Sequence, residues 1–561
     1  MVTKQIIQIE DEVDKFLYNK LDENIPRYKY IYHMNLVYID YVITNQLWFS
    51  QVEKHLVYSL SYNTFLAYKK LKEEDITDFN FDHSLYLVCF EHLIFGMEYS
   101  MLCEVFPAIR SNKARIYINE EAKKITVQQD NLPRGQYEFF SKYIMKKSLS
   151  YTLQMTAGML EKKPLEEAAW KLTKGYLSFW NENMMHDDFE PYSRQDWGGV
   201  SLFFTSAAMR RFMSLYREDF NLNKIGSDKV MVVLSPYGRD RLLEYTISQD
   251  KEMVDKVLND LIYKPIGNGL FPKSHLSDSP VICTKDGHLL LNPLVLLSND
   301  SSETMLLNNL RKNDKARYLR IKDKLKERVI PLIEHLIKLK YPEAIVITNF
   351  NLPIPKKKNQ KRELDILIVD NDSGFVLYIE VKHFFNPNSY SEIKSLDNQF
   401  SDALTKAPDQ LYAIQENWEL IKQRYSVQTE IKLLKAIILS HNYLGKDVEI
   451  NTEIPIVNTT NFYESLANSS TVEELYQSNK EIDYVYTSLP IIRKPIDFNF
   501  AGYTFNLELE IIDPIFEMEY LKSYRQIVFN NIDLDERAVF RSIEEHAQAL
   551  LEKLQGNNYR E

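Results

Sequence analysis

Three charged residues interrupt an otherwise apolar stretch, "ELDILIVDNDSGFVLYIEVKH", which runs from Glu363 to His383. Asp365 lies in the first of its two apolar runs, and Glu380 and Lys382 lie near the end of the second. Carboxylate oxygens are the ligands that a hard divalent cation such as Mg²⁺ prefers. A lysine beside such a cation can hold a water molecule or stabilise phosphoryl charge. The residue types therefore indicate a metal site that handles a phosphate group.

The stretch itself is typical of a β-hairpin. Two apolar runs flank a short polar segment, alternate side chains of a strand share a face, and residues 371–374, "NDSG", suit a type I turn that ends in a left-handed residue. Such a turn pairs Asp370 with Phe375. One face of the hairpin is then predicted to carry Leu364, Ile366 and Ile368 from the first strand and Phe375, Leu377, Ile379 and Val381 from the second.

Continuing this register sets Asp365 opposite Glu380 and Glu363 opposite Lys382, and a slip of one residue would separate the aliphatic faces. Opposed Cβ atoms are about 4.5–5.5 Å apart, so the two carboxylates repel each other unless a cation lies between them. The structural alternative is a surface hairpin with a Glu363–Lys382 ion pair. An acidic-X-Lys tripeptide is uninformative alone, since it recurs at residues 430–432. Strands, register and spacing together favour the metal site.

The elements around the hairpin follow an α/β order. A long helical run, "NDKARYLRIKDKLKERVIPLIEHLIKLK", precedes the strand "AIVITNF", the hairpin, a helix near "APDQLYAIQENWELIKQRY", and the strand "KLLKAIILSHN". Helix, three strands, helix and strand predict an α/β domain over residues 306–484.

The rest of the chain has a different pattern of predicted elements. Residues 1–305 are predicted to be mainly helical, around 41–72, 84–105, 136–181, 201–217 and 238–261. The hairpin "ARIYINEEAKKITVQ" lies within this region, and a second hairpin turns at residues 285–287. Residues 485–561 are predicted to form a small α+β region with a strand pair and a terminal helix. The fold class is thus α/β multidomain, and the helical region is a candidate for sensing or assembly.

Composition narrows the class of protein. The 561 residues are 45% hydrophobic and 26% charged, as in ordinary globular proteins. Three cysteines are too few for a disulfide framework, and no signal peptide is evident, so a cytoplasmic location is expected. The most apolar segment, "SLYLVCFEHLIFGMEYSMLCEVF", carries three glutamates and a histidine, so we expect a buried core helix and no membrane partner.

Charge separates the regions. Residues 311–440 contain 23 Lys and Arg against 17 Asp and Glu, a net +6, so the remainder of a chain with total charge −11 carries −17. A positive block in an acidic chain favours a polyanionic partner, although a solvated basic helix face gives the same count.

An Asp, a hairpin and then Glu-X-Lys resemble the PD-(D/E)XK nuclease superfamily, and most of all its nuclease-related (NERD) branch. The matching segments are "KERVIPLIEHL", "ELDILIV", "FVLYIEVKH" and "APDQL". In "APDQL", Pro408 is one residue closer to Gln410 than is usual, and Lys326 replaces a frequent glycine. The resemblance covers about residues 306–445 and implies a restriction-endonuclease-like mixed sheet.

The resemblance also implies the roles of individual residues. Asp365, Glu380 and the Val381 carbonyl would hold Mg²⁺, or Mn²⁺ in its place, and Lys382 would orient or deprotonate the attacking water. Glu327 on the preceding helix would support a second metal ion or its water, although Glu334 on the same helix could take that place. Gln410 would contact water or backbone; a polar residue at a helix start after Pro408 is the equally weighted alternative.

A dense positive loop precedes the first strand of the hairpin. It comprises Lys356, Lys357, Lys358, Lys361 and Arg362. Such a loop beside the metal site would bind phosphates without reading base sequence. A solvated loop without a ligand is the alternative.

Two other patterns are weaker. Arg328…His335 and Arg541…His546 fit the short Arg-x(4–6)-His signature of HEPN ribonucleases, but both histidines suit ordinary helix faces. The segment "MMHDDFEPY", residues 184–192, could bind a metal ion, but no second histidine lies at ligand spacing.

These observations predict a Mg²⁺-dependent DNA endonuclease. By analogy with large bacterial proteins that join such a domain to a long helical region, its role would be anti-phage defence or restriction. A homo-oligomer and a protein or phage trigger bound by the N-terminal region are expected on the same analogy. The alternatives are an RNA-cleaving nuclease and a non-catalytic interaction protein that only binds nucleic acid.

Overall fold

The computed structural model describes residues 2–512, except for several intervals of which the longer are 130–162, 181–189, 218–228, 354–360 and 383–389. Across the described residues helices and mixed sheets alternate, which confirms the coarse prediction of an α/β protein. The predicted terminal helix, with Arg541 and His546, lies outside the described residues.

The N-terminal region is built mainly from helices. They are α1 (Val2–Lys20), α2 (Arg27–Thr44), α3 (Glu53–Lys70), α4 (His83–Arg110), α5 (Leu165–Trp180), α6 (Arg194–Arg217), α7 (Lys251–Leu261), α8 (Pro293–Leu297) and α9 (Ser302–Asn313). The prediction of one helical stretch over 41–72 is wrong. Asn45 caps the end of α2, and its side-chain amide donates to the Tyr41 carbonyl that its backbone N–H also reaches. The single helix predicted over 238–261 is likewise two elements, a 3₁₀ helix at Tyr237–Tyr245 and then α7.

Helix α4 is a core helix, as the sequence predicts. Its length and apolar composition would also suit a membrane span, a test that core helices pass as well. Its His92 is buried, and Tyr30 of α2 hydrogen-bonds to the ring. Gly96 allows α3 to approach closely, since a Cβ there would lie 2.2 Å from the Ser59 hydroxyl oxygen. These contacts pack α4 against both α2 and α3.

Short strands complete this region. They are β1 (Ala114–Asn119), β2 (Lys124–Gln129), β3 (Val232–Leu234), β4 (Gly267–Asn268), β5 (Phe271–Pro272), β6 (Val281–Cys283) and β7 (Leu289–Leu291). Both predicted hairpins are confirmed: β1 pairs with β2, and β6 pairs with β7 across a turn in which Gly287 has φ +86°.

The second region contains a five-stranded mixed sheet. Its strands are β8 (Ile345–Pro353), β9 (Lys361–Val369), β10 (Phe375–Lys382), β11 (Leu433–Ser440) and β12 (Ile456–Asn458). In space the order is β12-β11-β10-β9-β8; β8, β9 and β10 are antiparallel, and β10, β11 and β12 are parallel.

Helices cover both faces of this sheet. They are α10 (Lys315–Lys340), α11 (Tyr390–Glu416), α12 (Trp418–Tyr425), α13 (Thr459–Asn468) and α14 (Val472–Val485). Helices α10, α13 and α14 share one apolar cluster with the sheet, and α11 and α12 share another. The helix predicted near Pro408 begins much earlier, at Tyr390. Apolar residues every three or four positions continue through Pro408, so packing offsets the backbone hydrogen bond that the proline removes.

The last hairpin, β13 (Ile491–Phe500) and β14 (Tyr503–Ile512), joins a sheet from the other end of the chain. Strand β14 pairs in parallel with β2, and Phe500 and Phe505 are buried in the N-terminal cluster. The division at 305 and 484 stays a prediction, but the described part of the third region packs directly on the first.

Candidate active site

The hairpin forms in the predicted register. Val376 pairs with Val369, and the pairing continues to Ile379 with Ile366. At the turn, the Gly374 backbone N–H donates to the Asp370 carbonyl at 2.9 Å, and Gly374 has φ +72°. The same register sets Asp365 opposite Glu380, one step beyond the last pair.

The Asp365 carboxylate lies against the backbone of the second strand. Its Oδ2 accepts a hydrogen bond of 2.8 Å from the Val381 backbone N–H, and the residue is only 4% exposed. That N–H belongs to the peptide bond that follows Glu380. The contact therefore fixes the Asp365 carboxylate against the backbone next to Glu380, at the end of the β9–β10 pairing.

Strand β9 changes face at Asp365. Leu364 is buried in the same cluster as Leu367 and Val369, so the predicted grouping of Leu364 with Ile366 and Ile368 is wrong. Strand β8 changes face at the same point, where Asn349, opposite Asp365 in the register, has φ +48°. At this kink in the strand the Asp365 carboxylate accepts the Val381 N–H.

Glu380 is held by three side chains. Lys382 Nζ donates to its Oε1 at 2.6 Å, and Oε2 accepts from the Tyr378 hydroxyl and, at 3.0 Å, from Gln410 Nε2. Burial raises the pKa of the Glu380 carboxyl, but the Lys382 charge and the donated hydrogen bonds outweigh it, so this pKa lies below its ordinary value. Lys382 pairs with Glu380 rather than with Glu363, which excludes the surface ion pair considered above.

Tyr378 is the residue that sequence reasoning missed. Burial, followed by the charge of Glu380, raises its pKa well above the ordinary tyrosine value, so the hydroxyl stays protonated and donates. Its position two residues before Glu380 on the same face was the available signal. Nothing in the alternation of apolar residues indicates that a tyrosine there bonds a carboxylate.

Gln410 reaches the site from the interior of α11. The residue is 6% exposed, and Nε2 also donates to the Tyr378 hydroxyl oxygen at 3.1 Å. Because Nε2 contacts a carboxylate oxygen, the orientation of the amide is determined. Its Oε1 is buried without a hydrogen-bond partner in the described part of the chain, so it can accept a hydrogen bond from a water molecule or another ligand.

The other predicted residues stand apart from this cluster or outside the described residues. Glu327 is on α10, but its side chain is not described. Glu334 accepts from the Thr348 hydroxyl at 2.9 Å and pairs with Lys338. Thr348 pairs with Ile366, so Glu334 contacts β8 one residue away from the kink.

Only the end of the positive loop is described. Lys356, Lys357 and Lys358 fall in the undescribed interval, and Lys361 is exposed. Arg362 lies 3.7 Å from the Asp409 carboxylate on α11 and donates to the Lys406 carbonyl at 3.4 Å. It therefore links β9 to the helix that carries Gln410.

The competing patterns gain no support from the described residues. His335 is exposed on α10, and the side chain of Arg328 is not described. His186, Asp187 and Asp188 lie outside the described residues, and Glu190 lies 3.9 Å from Arg320.

The residues at the hairpin end fit a divalent cation. Asp365 and Glu380 are opposite each other in the register, the Val381 carbonyl follows Glu380 in the chain, and Oε1 of Gln410 is available to accept from a water. Among the described residues there is no group of three His, Cys, Asp or Glu that could hold a metal ion. A Mg²⁺ ion often takes only one or two carboxylates, with phosphate and water completing its shell.

Comparison with protein-family models, with curated proteins and with solved structures finds no match to this chain.

Proposed function

We propose that this chain is a metal-dependent nuclease that hydrolyses phosphodiester bonds. The observation that carries the proposal is the cluster of Asp365, Glu380 and Lys382 at the end of β9 and β10, with Gln410 entering from α11. The order of α10, three antiparallel strands, α11 and a parallel strand supports a restriction-endonuclease-like domain.

The roles follow from the contacts. Asp365, Glu380 and the Val381 carbonyl would hold a divalent cation, Mg²⁺ or Mn²⁺. When bound, the cation would supply a water of lowered pKa and neutralise charge on the phosphate. Lys382 would orient or deprotonate the attacking water and stabilise the phosphate in the transition state. Gln410 Oε1 would accept a hydrogen bond from a water at the site, and Tyr378 keeps the Glu380 carboxylate oriented.

DNA is the substrate we propose, cut internally, with a role in bacterial anti-phage defence or restriction. The net +6 of residues 311–440 supports a polyanionic substrate. Cleavage of RNA, and binding without cleavage, are the alternatives. The intact set of two carboxylates and one lysine favours catalysis, since binding alone does not need all three.

The test is a cleavage panel with supercoiled plasmid, linear duplex, single-stranded DNA and RNA, each with Mg²⁺ or Mn²⁺. We expect the wild type to cut DNA and Lys382→Ala to have no activity. Lys422→Ala is the matched control, because Lys422 on α12 pairs with Glu419 and Glu430 and makes no contact with Glu380.

Equal cleavage by the wild type and Lys382→Ala would contradict the proposal. Binding of the same nucleic acids without cleavage by the wild type would favour the interaction protein. Cleavage of RNA alone would assign the substrate to the other class.

A further inference from the structure

Both oxygens of the Glu380 carboxylate are engaged, but in different ways. Oε2 receives two neutral donors, the Tyr378 hydroxyl and the Gln410 amide. Oε1 receives the charged Lys382 ammonium at 2.6 Å. The Glu380 and Lys382 side chains are 14% and 28% exposed, so the ion pair is largely sheltered from water. A cation that binds Glu380 must therefore compete with the Lys382 ammonium for the carboxylate.

A divalent cation and an ammonium cannot share Oε1 in this place. Mg²⁺ binds a carboxylate oxygen at about 2.0–2.1 Å, which would bring its two positive charges within a few ångströms of the Lys382 charge. Like charges at that separation repel strongly where solvent is partly excluded. The two donors on Oε2 leave Oε1 as the oxygen for the metal.

The Lys382 side chain can move away from Glu380. Its four-carbon stem is flexible, and part of its side chain is exposed, so it can turn away while its backbone stays in β10 beside β11. Tyr378 and Gln410 are buried and would keep Oε2 in place during the exchange. The carboxylate is thus held by one oxygen while its other oxygen changes partner.

We propose that Lys382 is the resident counter-ion of Glu380, and that a divalent cation displaces it from Oε1. The displaced ammonium then becomes available to the attacking water and the phosphate only in the metal-loaded site. This inference rests on the proposed function and deepens it, because binding of the metal ion would control when Lys382 can reach the water and the phosphate.

Removing the Lys382 charge should have opposite effects on metal affinity and on cleavage. Lys382 opposes the metal, so removing its charge should tighten metal binding while it abolishes cleavage. A lysine that only supports the architecture of the site would give weaker metal binding when removed.

The experiment measures Mn²⁺ affinity by electron paramagnetic resonance without nucleic acid. We expect Lys382→Met, which keeps an unbranched apolar side chain, and Lys382→Gln, which keeps a polar end, to bind Mn²⁺ about tenfold more tightly than the wild type, a change of about 1.4 kcal/mol. Asp365→Asn should lose binding. Circular dichroism checks that each variant is folded.

A second measurement needs no variant. Acylation of lysines, followed by mass spectrometry, reports how accessible each amine is in the wild-type chain. Addition of Mn²⁺ should raise the labelling rate of Lys382 several-fold and leave that of Lys422 unchanged, since Lys422 pairs with Glu419 and Glu430.

The outcomes separate the inference from the proposed function. If Asp365→Asn loses Mn²⁺ but both Lys382 variants bind no more tightly than the wild type, the metal site stands and the displacement is overturned. If Asp365→Asn binds Mn²⁺ as the wild type does, or if no form binds it, the metal site itself is refuted and the inference with it.

Discussion

Asp365 accepts a hydrogen bond from the backbone of the neighbouring strand, and that contact fixes the orientation of its carboxylate. Glu380 beside it is oriented by Tyr378 and Gln410 and neutralised by Lys382. A charged residue inside a sheet is unfavourable unless it is paired. Each of these charges has a partner, so the site can form before any ligand binds.

We expect Tyr378→Phe to lower the free energy of unfolding by about 2 kcal/mol, because Glu380 loses a hydrogen bond to its charged form. Cleavage should fall about tenfold, since one support of a proposed metal ligand is lost. Urea unfolding and plasmid nicking measure the two effects. Tyr341→Phe is the control, because that buried hydroxyl bonds only Ser469 among the described contacts. An equal loss of cleavage in both variants would contradict the role of Tyr378.

At the scale of the element, β8 and β9 change face together. Asn349 lies opposite Asp365 in the register and adopts a left-handed conformation that asparagine tolerates better than most residues. Ile347 and Phe350 of β8 face one cluster although they are three residues apart, and Leu364 and Leu367 of β9 face the same cluster. At this kink the Asp365 carboxylate reaches the Val381 N–H while Leu364 stays buried.

We expect Asn349→Val to lower the free energy of unfolding by about 2 kcal/mol, because a β-branched residue is strained at positive φ. Asn349→Gly should change it little. Asn351→Val is the matched control, since Asn351 is an exposed residue of the same strand without positive φ. Chemical denaturation measures all three. Equal destabilisation at 349 and 351 would show that the backbone conformation is not the cause.

The strand register could be predicted because the information is local. The turn "NDSG" and the matching apolar faces determine the pairing of Asp365 with Glu380, and β10 faces both clusters as expected. The kink could not be predicted, since strict alternation assigns Leu364 to the wrong face. Its only trace in the sequence is an asparagine inside the strand "AIVITNF".

At the scale of the whole molecule, one helix belongs to two cores. Ile321 of α10 is buried with the N-terminal helices, and Val329 of the same helix is buried under the mixed sheet. Arg317 fixes the first part of α10 through a buried 2.5 Å ion pair with Asp260. Nearby, Arg311 of α9 pairs with Glu392 at the start of α11. The N-terminal region is therefore joined to both helices that flank the site.

Long-range pairing was beyond prediction from sequence. Strands β2 and β14 pair although more than 370 residues separate them, and neither hairpin carries a signal for its partner. The charge pattern was more informative, since the net +6 over residues 311–440 covers most of the mixed sheet.

We expect His92 to destabilise the N-terminal helices in mild acid, with a sign opposite to that of Glu98 on the same helix, whose pKa burial raises to about 7. Burial lowers the pKa of His92 to about 4 from an ordinary 6.5. The neutral ring therefore contributes stability that is complete above pH 6.5 and is lost as the pH falls towards 4. Between pH 7 and pH 5 this amounts to about 2 kcal/mol.

Hydrogen exchange of the α4 backbone amides, measured in a denaturant series at pH 7 and at pH 5, reports this loss of stability. His92→Gln should reduce it, and His335→Gln should not, because His335 is exposed on α10. An unchanged pH dependence in His92→Gln would contradict this assignment.

The most direct test of the account is plasmid cleavage by Asp365→Asn. The asparagine carbonyl can still accept the Val381 N–H, so only the charge and one metal ligand are removed. The account predicts Mg²⁺-dependent nicking by the wild type and no detectable nicking by Asp365→Asn at equal stability. Nicking at the wild-type rate by Asp365→Asn would contradict a metal-dependent nuclease site at the end of this hairpin.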